Sequence, residues 1–372
     1  MNLIKEGSVK DIYHFENDLL FKFSDRYSVF DWGEMPDLIP NKGESLLEFS
    51  YNTFKFLENS ENWKNWKPKD IAVDGNYYLC KTLKDFREKG VKTHLLDKVL
   101  IDGKNYLKVK KVHVPNIEFK DKSWDYREFT KKPRPINTII PLEVIFRFGV
   151  PKGSSLLGRV SNDTYLEELG LSTRPKEGDT FKSPVIEFST KLEDRDQYID
   201  GAKAMDISGL SLVEFENLKS ITLLLSLRLR DYFQDLGIDM WDGKFEFAFA
   251  DYDEEGKREI QLIDSIGPDE LRLIKDGVQL SKEVLRSLYL QTPWHENVMK
   301  SKSTAKRENR IDWKEICINE LKSTPSKLES EKIETISKMY KGLSLATSKK
   351  RELLDQCIPL IKEFQNENCY PR

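Results

Sequence analysis

The sequence predicts an α+β fold. It reads as an antiparallel β-rich N-terminal lobe (1–113), a polar insertion (114–137), a second α/β lobe (138–295) and a helical C-terminal region (296–372). Three observations predict it. Short alternating or apolar segments between turn residues fill the first part. A strongly apolar strand and an alternating hairpin bracket one long helix free of Gly and Pro. From about residue 280 onward the chain is highly charged with helical spacing.

In chain order, residues 9–13, 19–23, 77–82 and 106–112 read as strands, with turns at Asn17-Asp18, Asp74-Gly75 and Asp102-Gly103. A helix over 44–59 presents Leu46, Leu47, Phe49, Phe54, Phe56 and Leu57. Residues 114–137 are polar and carry Pro115, Pro133 and Pro135, so they read as a loop or insertion. IPLEVIFRF (140–148) is a strand. SLVEFENLKSITLLLSLRLRDYFQDL (211–236) is a helix that Gly237 stops. KFEFAFADYD and KREIQLID form a hairpin around Glu255-Gly256. Helices are expected at 281–290, 312–322, 328–341 and 348–365, with a basic linker at 300–311. The last helix carries an apolar stripe of Leu353, Leu354, Cys357, Ile358, Leu360, Ile361 and Phe364. It is expected to pack on the chain's own core, with a homo-oligomer contact as the second use.

Composition excludes several classes. The 60 basic residues are balanced by 63 acidic ones, which leaves no basic excess for nucleic acid. Cys80, Cys317, Cys357 and Cys369 form no CxxC pair, and reduced thiols are expected. The start, MNLIKEGSVKDIYHF, lacks the pattern of a secretory signal. No apolar run reaches membrane-spanning length, so a cytoplasmic protein is expected. His14, His94, His113 and His295 lack metal-ligand spacing. No G-x-S-x-G elbow and no GxGxxG after a strand occur.

Chemistry-bearing residues fall into clusters. Glu246 and Asp264 sit on the two hairpin strands, where pairing can bring them together. Adjacent carboxylates repel unless a cation such as Mg²⁺ lies between them. Spacing alone does not separate this from an ordinary exposed acidic hairpin. Lys10, after Gly7, either addresses a phosphate chain or is a solvated strand residue; a P-loop needs fuller spacing. RFGVPKGSSLLGR joins Arg147, Lys152, Gly153, Ser154 and Ser155. It is either an anion cradle or a polar turn. STKLEDRD gathers Lys191, Glu193, Asp194, Arg195 and Asp196, and GPDELR adds Asp269 and Arg272. Both also read as solvated loops.

The order of these clusters resembles the phosphoribosylaminoimidazole-succinocarboxamide synthase (SAICAR synthetase) family. GSVKDIY resembles the family's opening nucleotide-binding strand. FSDRYSVFD and IPNKG follow, with Asp25, Arg26, Ser28, Asp31, Lys42 and Gly43 in place. Then come VKTHLLD, LKVKK, IPLEVIFR with a downstream Gly-Ser, STK with a downstream Asp, DGKFEF, LID, and Pro-Asp with a downstream Arg. SKEVLRSLYLQTPW and KIETISKMYKGL resemble its closing helices. The likeness spans about residues 6–345.

The resemblance implies a two-lobed fold related to the ATP-grasp enzymes, with the first lobe binding ATP. It implies an ATP-dependent ligase that joins a carboxylated aminoimidazole ribonucleotide to aspartate; departures from the family pattern leave a paralogous ligase for another carboxylate or amine, or a nucleotide-binding protein without catalysis, as alternatives. Lys10, aided by Lys110 or Lys111, would contact ATP phosphates, and Glu246 and Asp264 would hold Mg²⁺. Arg147, Ser154 and Arg272, with Ser155 and Asp269 beside them, would grip the ribonucleotide 5′-phosphate. Asp31 and Lys42 would bind substrate, and Lys191, Asp196 and Lys244 would line the acceptor site. The physics agrees: a carboxylate is a poor acyl donor until phosphorylated, and bringing anions together requires cations.

The chain also departs from the family. Ser8 stands where a lysine usually follows the glycine, and Asp264-Ser265 where Asp-Glu is usual. Arg195-Asp196 replaces a His-Asp step, and Pro151 and Lys152 lengthen the loop after Arg147. The 114–137 segment, the linker near 300–325 and the tail 346–372 are additions.

Overall fold

The computed structural model describes residues 1–151, 153–254 and 256–367; Lys152, Glu255 and Cys369 lie outside the described residues. The chain forms two compact units. One comprises residues 1–50, 97–108 and the chain from Ile274 onward. The other comprises 51–96 and 109–273.

A five-stranded antiparallel sheet organises the N-terminal part. Its strands are β1 (Asn2–Lys5), β2 (Lys10–Phe15), β3 (Asp18–Phe23), β4 (Leu95–Ile101) and β5 (Lys104–Lys110), in the order β1-β2-β3-β5-β4. The β2–β3 hairpin turns at Glu16-Asn17, where Glu16 adopts φ 55°. In the first unit the tail helix Glu352–Glu367 buries Leu354, Cys357, Ile361 and Phe364. It runs so close to helix Ser330–Thr347 that a Cβ on Gly342 would stand 2.8 Å from the Leu354 backbone. Most of the apolar stripe thus packs on the chain's own core, and Leu360 stays exposed.

Several sequence expectations are corrected. Residues 77–82 are not a strand; they open the helix Tyr77–Lys89. The Asn76 side chain accepts the Leu79 amide at 3.1 Å, and Leu79, Leu83 and Phe86 bury one helical face. The β-prone YYL triplet loses to capping and tertiary burial. Residues 300–311 are not a linker, because helix Pro293–Glu308 runs through most of them. Thr292 caps it, Pro293 occupies its first turn, and Trp294, Val298, Ser301 and Ala305 face inward. The expected helix over 312–322 is a short turn, Trp313–Glu315, followed by a π-helical turn, Ile316–Glu320.

The 114–137 segment is also no open loop. It holds a small hairpin, β6 (Phe119–Lys120) and β7 (Ser123–Trp124). Ile117 and Phe129 from it pack with Ile139, Ala248 and Ile263 in one apolar cluster. Gly209 ends helix Gly201–Ser208 at φ 64°, and a Cβ there would stand 2.4 Å from the Phe129 carbonyl oxygen. Burying one phenylalanine contributes about 1.5–3 kcal/mol, so Phe129 is a substantial anchor.

The second unit is built on the larger antiparallel sheet. Its strands are β8 (Thr138–Gly149), β9 (Thr180–Thr190), β10 (Tyr198–Ile199), β11 (Asp239–Tyr252), β12 (Arg258–Ile263) and β13 (Leu271–Lys275). The order runs β10-β9-β8-β11-β13, with β12 also paired to β11. Successive side chains alternate faces. One face carries Val144, Phe146, Phe188, Phe245 and Phe247, and Phe188 meets Phe215 of helix Leu212–Asp235 at 5.1 Å. A capping box between Ser211 and Glu214 starts that helix, and Gly237 follows its end at φ 72°. The opposite face carries Glu143, Arg147, Glu187, Ser189, Asp242, Lys244 and Glu246, held in register by the β9-β8-β11 pairing.

Candidate active site

The polar face is buried, yet charged. Glu143, Arg147, Glu187, Ser189, Asp242 and Glu246 are each less than 9% exposed. Charges so placed must be paired, and they sort into two clusters.

In the first, Lys191, just past β9, donates to Glu246 Oε1 at 2.6 Å and to Glu143 Oε1 at 3.1 Å. Lys244 donates to the same Glu143 oxygen and lies 3.9 Å from Glu246. Register explains the convergence: Glu246 sits opposite Glu143 on β8 and opposite Ile263 on β12, one residue before Asp264. Asp264 adopts φ 68°, and its carbonyl is held by His94 Nε2 at 2.9 Å.

Electrostatics follows from this packing. Burial pushes the Glu246 carboxyl above the ordinary range, and neighbouring Asp264 adds to the rise against Lys191 and Lys244. Burial would also raise Glu143, but Lys244 and Lys191 outweigh it and hold it low. For Lys191, burial opposes the charged form, yet Glu246, Glu143 and Asp264 together drive its pKa up. Lys244 is raised too: burial and Lys191 oppose it, and Glu143 and Glu246 prevail.

The carboxylates of Glu246 and Asp264 are hard oxygen donors, and Asp264 opposes the ionisation of Glu246. A Mg²⁺ ion would relieve that conflict, so the donor set fits this ion. Among the described residues no group of three or more His, Cys, Asp or Glu side chains is arranged to hold a metal. Remaining ligands would therefore have to be water or substrate oxygens.

The second cluster surrounds Glu187, whose side chain has no exposed surface. Its Oε2 accepts from Arg147 Nε. Its Oε1 accepts from Arg159 Nε at 2.9 Å, from Arg159 Nη2 at 2.6 Å and from the Tyr165 hydroxyl. Arg147 also reaches Asp242 Oδ2 at 3.2 Å and the Tyr198 hydroxyl at 3.1 Å. Arg272 reaches that same Asp242 oxygen at 3.1 Å. The Arg159 guanidinium lies 3.3 Å from the Tyr198 ring centroid. Burial opposes the charge on Arg147, and Glu187 and Asp242 overcome it and raise its pKa.

The sequence-derived candidates are placed as follows. Lys191, Lys244, Glu246 and Asp264 come together in the first cluster, and Arg147 and Arg272 in the second. Ser155 Oγ lies 3.5 Å from Arg147 Nη2, whereas Ser154 Oγ accepts the Leu156 amide at 3.4 Å. Asp196 is exposed in the loop after β9, and Asp269 is half-buried beside β13. Lys110 pairs with Asp251 at 3.3 Å, and Lys111 is exposed. Lys10, Asp31 and Lys42 belong to the first unit. There Lys10 lies over the Phe21 ring at 4.6 Å and Asp31 meets Lys302 at 2.7 Å. Lys42 has no exposed surface and lies 5.2 Å from the Tyr340 ring centroid.

Sequence reasoning missed Glu143, Arg159, Glu187, Tyr198 and Asp242. For the two glutamates a signal existed: each is a lone acid inside an apolar strand, IPLEVIF and PVIEF, where a buried charge requires a partner.

Two compensated charge clusters on one buried sheet face suit an enzyme that handles anionic substrates, and comparison with known proteins supplies its class: an ATP-dependent carbon–nitrogen ligase. The chain belongs to the SAICAR synthetase family, ATP-dependent ligases of purine biosynthesis, whose family model matches residues 3–301. A provisionally named phosphoribosylaminoimidazole-succinocarboxamide synthase of Archaeoglobus fulgidus is 34% identical, over 90% of this chain and 91% of that one. The phosphoribosylaminoimidazole-succinocarboxamide synthase of Thermoplasma acidophilum is 29% identical, over 84% and 91%. The solved SAICAR synthase of Saccharomyces cerevisiae, complexed with SAICAR, matches 94% of this chain and 96% of its own. Its TM-score is 0.56 at 23% identity, which shows the shared, ATP-grasp-like fold. Among the described residues no helix is long and apolar enough to cross a membrane.

Proposed function

We propose that this chain joins the amine of aspartate to the carboxylate of carboxyaminoimidazole ribonucleotide through an acyl phosphate. The observation that carries this reading is the pairing of Glu246 and Asp264 with Lys191 and Lys244 on the same sheet face as Arg147 and Arg272. One cluster suits a reacting carboxylate and phosphoryl group, the other a terminal phosphate.

In this reading a substrate carboxylate oxygen attacks the terminal phosphorus of ATP, and ADP leaves. The amine then attacks the acyl carbon, phosphate leaves, and the amine proton is lost to solvent or a nearby carboxylate. Both steps crowd negative charge, and the two lysine ammonium groups are fixed where that charge develops. Glu246 and Asp264 would hold Mg²⁺, which supplies charge neutralisation on the phosphates. Lys10, with Lys110 or Lys111, is assigned to the ATP phosphates. Arg147, Ser154, Ser155, Asp269 and Arg272 are assigned to the ribonucleotide phosphate, and Asp196 and Asp31 to substrate. For Lys42, complete burial over Tyr340 supports a structural role instead.

The test is direct. Purified protein is incubated with ATP, Mg²⁺ and carboxyaminoimidazole ribonucleotide, with and without aspartate, and product is followed by absorbance and mass. Succinocarboxamide product that requires aspartate is expected. Its absence, with ATP still bound, would transfer the assignment to a ligase for another amine or carboxylate.

A further inference from the structure

Three donors converge where the second cluster meets solvent. Arg147 gives Nε to Glu187 and Nη1 to Asp242. Its third nitrogen, Nη2, faces two hydroxyls, Tyr198 at 3.1 Å and Ser155 at 3.5 Å. Those two hydroxyl oxygens lie 3.4 Å apart. Tyr198 and Ser155 are both exposed, whereas the Arg147 side chain is only 6% exposed. A buried positive charge therefore reaches the surface between two hydroxyls.

Strand register puts Tyr198 there. On β10 it stands opposite Ser189 of β9, and Ser189 shares a sheet face with Glu187 two residues earlier. The Arg159 guanidinium lies 3.3 Å from the centroid of the Tyr198 ring, and Glu187 holds that guanidinium at 2.9 and 2.6 Å. An arginine stacked on the ring fixes the ring, and the ring fixes where the hydroxyl points.

Hydrogen-bond accounting shows what the trio can take. Nη2 carries two protons, and each hydroxyl can accept one. One hydroxyl can then donate to the other, which leaves an O–H without an acceptor inside the trio. The contacts at 3.4 and 3.5 Å are long, so little is lost when they are exchanged for shorter ones. Three donors around one point, one of them permanently charged, suit an oxyanion with several acceptor oxygens, and a phosphate monoester is such a group.

We propose that Tyr198 binds the phosphate monoester of the substrate, its hydroxyl acting as a third donor beside Arg147 Nη2 and Ser155 Oγ. The proposal rests on the reading that Arg147 and Ser155 receive the ribonucleotide phosphate, and it adds a residue outside the motifs that suggested that reading. Glu187 and Arg159 are positioning residues here: the first orients Arg147 and Arg159, and the second holds the Tyr198 ring.

The experiment titrates ribose 5-phosphate into the full-length protein by calorimetry, comparing wild type, Tyr198→Phe, Ser155→Ala and the double variant, with circular dichroism confirming fold. Tyr198→Phe keeps the ring over Arg159 and removes only the hydroxyl. It is expected to weaken binding by on the order of tenfold, the loss of one hydrogen bond to a charged group. The two substitutions should not be additive, because the hydroxyls touch one another. Affinity for ADP should be unchanged in Tyr198→Phe; an equal loss for ADP would mean a general disturbance and would overturn the proposal. Wild-type affinity for ribose 5-phosphate in Tyr198→Phe overturns it too. If Ser155→Ala still weakens binding in that case, the phosphate reading survives. If wild type does not bind ribose 5-phosphate at all, that reading fails along with the proposal. Should Tyr198→Phe not fold, nitration of wild-type protein by tetranitromethane decides, read by peptide mass. Ribose 5-phosphate is expected to protect Tyr198, and equal nitration with and without it overturns the proposal.

Discussion

Lys191 and Glu246, 55 positions apart in the chain, are joined by a 2.6 Å hydrogen bond on the polar face of the second unit's sheet. The bond places a cation against a carboxylate whose ionisation burial and Asp264 both oppose. It makes Glu246 the most sensitive point of the proposed chemistry.

Glu246→Gln keeps the side-chain volume and removes the charge. The turnover number is expected to fall by about 10²–10³-fold, as when one preorganised electrostatic group is lost. Circular dichroism should show the protein folded, and Mg²⁺ should become a weaker activator. Near-normal turnover in the assay would sink the metal assignment.

Glu187→Leu removes the buried acid that holds Arg147 and Arg159. It leaves two cations without their shared carboxylate, a change that costs about 3–5 kcal/mol. Urea denaturation should show a correspondingly lower midpoint at an unchanged slope. A loss below about 1 kcal/mol would mean that solvent reaches these guanidinium groups in the folded protein.

Stability should depend on pH in a defined direction. Burial would raise both Glu143 and Glu187, but Lys244 and Lys191 hold the first low, and Arg147 and Arg159 the second. Their folded-state values lie below the unfolded glutamate value of about 4.3. Their contribution is therefore fully present above that value and is lost as pH falls through the folded values. Glu246 has the opposite sign, since its folded value is raised. The melting temperature should drop steeply below about pH 4, and Glu143→Gln should flatten that acid limb. An unaltered limb in this variant would remove Glu143 from the account.

Phe129→Ala should detach the 114–137 segment from the cluster of Ile117, Ile139, Ala248 and Ile263. Truncating a fully buried phenylalanine costs about 3–5 kcal/mol. Trypsin should then cut after Lys131 faster than in wild type. Equal cleavage rates would show that Phe129 does not anchor the segment.

Three strands of the larger sheet, β8, β11 and β12, were legible in the sequence, whereas β9 was not. Strict alternation in KFEFAFADYD assigns phenylalanines to one face and Lys244 and Glu246 to the other, as β11 has them. The long helix was readable from its unbroken periodicity, its freedom from Gly and Pro and its Gly237 stop. Helix Tyr77–Lys89 was not, because its opening residues favour a strand locally and only burial of Leu79, Leu83 and Phe86 reverses that preference. The 300–311 stretch misled for a similar reason. Its charges mask an inward face of Val298, Ser301 and Ala305 that begins before the basic run.

By itself the sequence determined the family, through motifs whose order survives insertions, and the alternation that gathers the charged residues of each strand onto one face. Only the tertiary structure decided which charges meet. Arg147 and Asp242 stand 95 positions apart, and Lys244 and Glu143 stand 101 apart. Their partnership depends on strand order and register, which arise when each strand buries its apolar side against the same core. A one-residue slip would turn every charge to the other face, so the packing of the phenylalanine side selects the charge pairs opposite it.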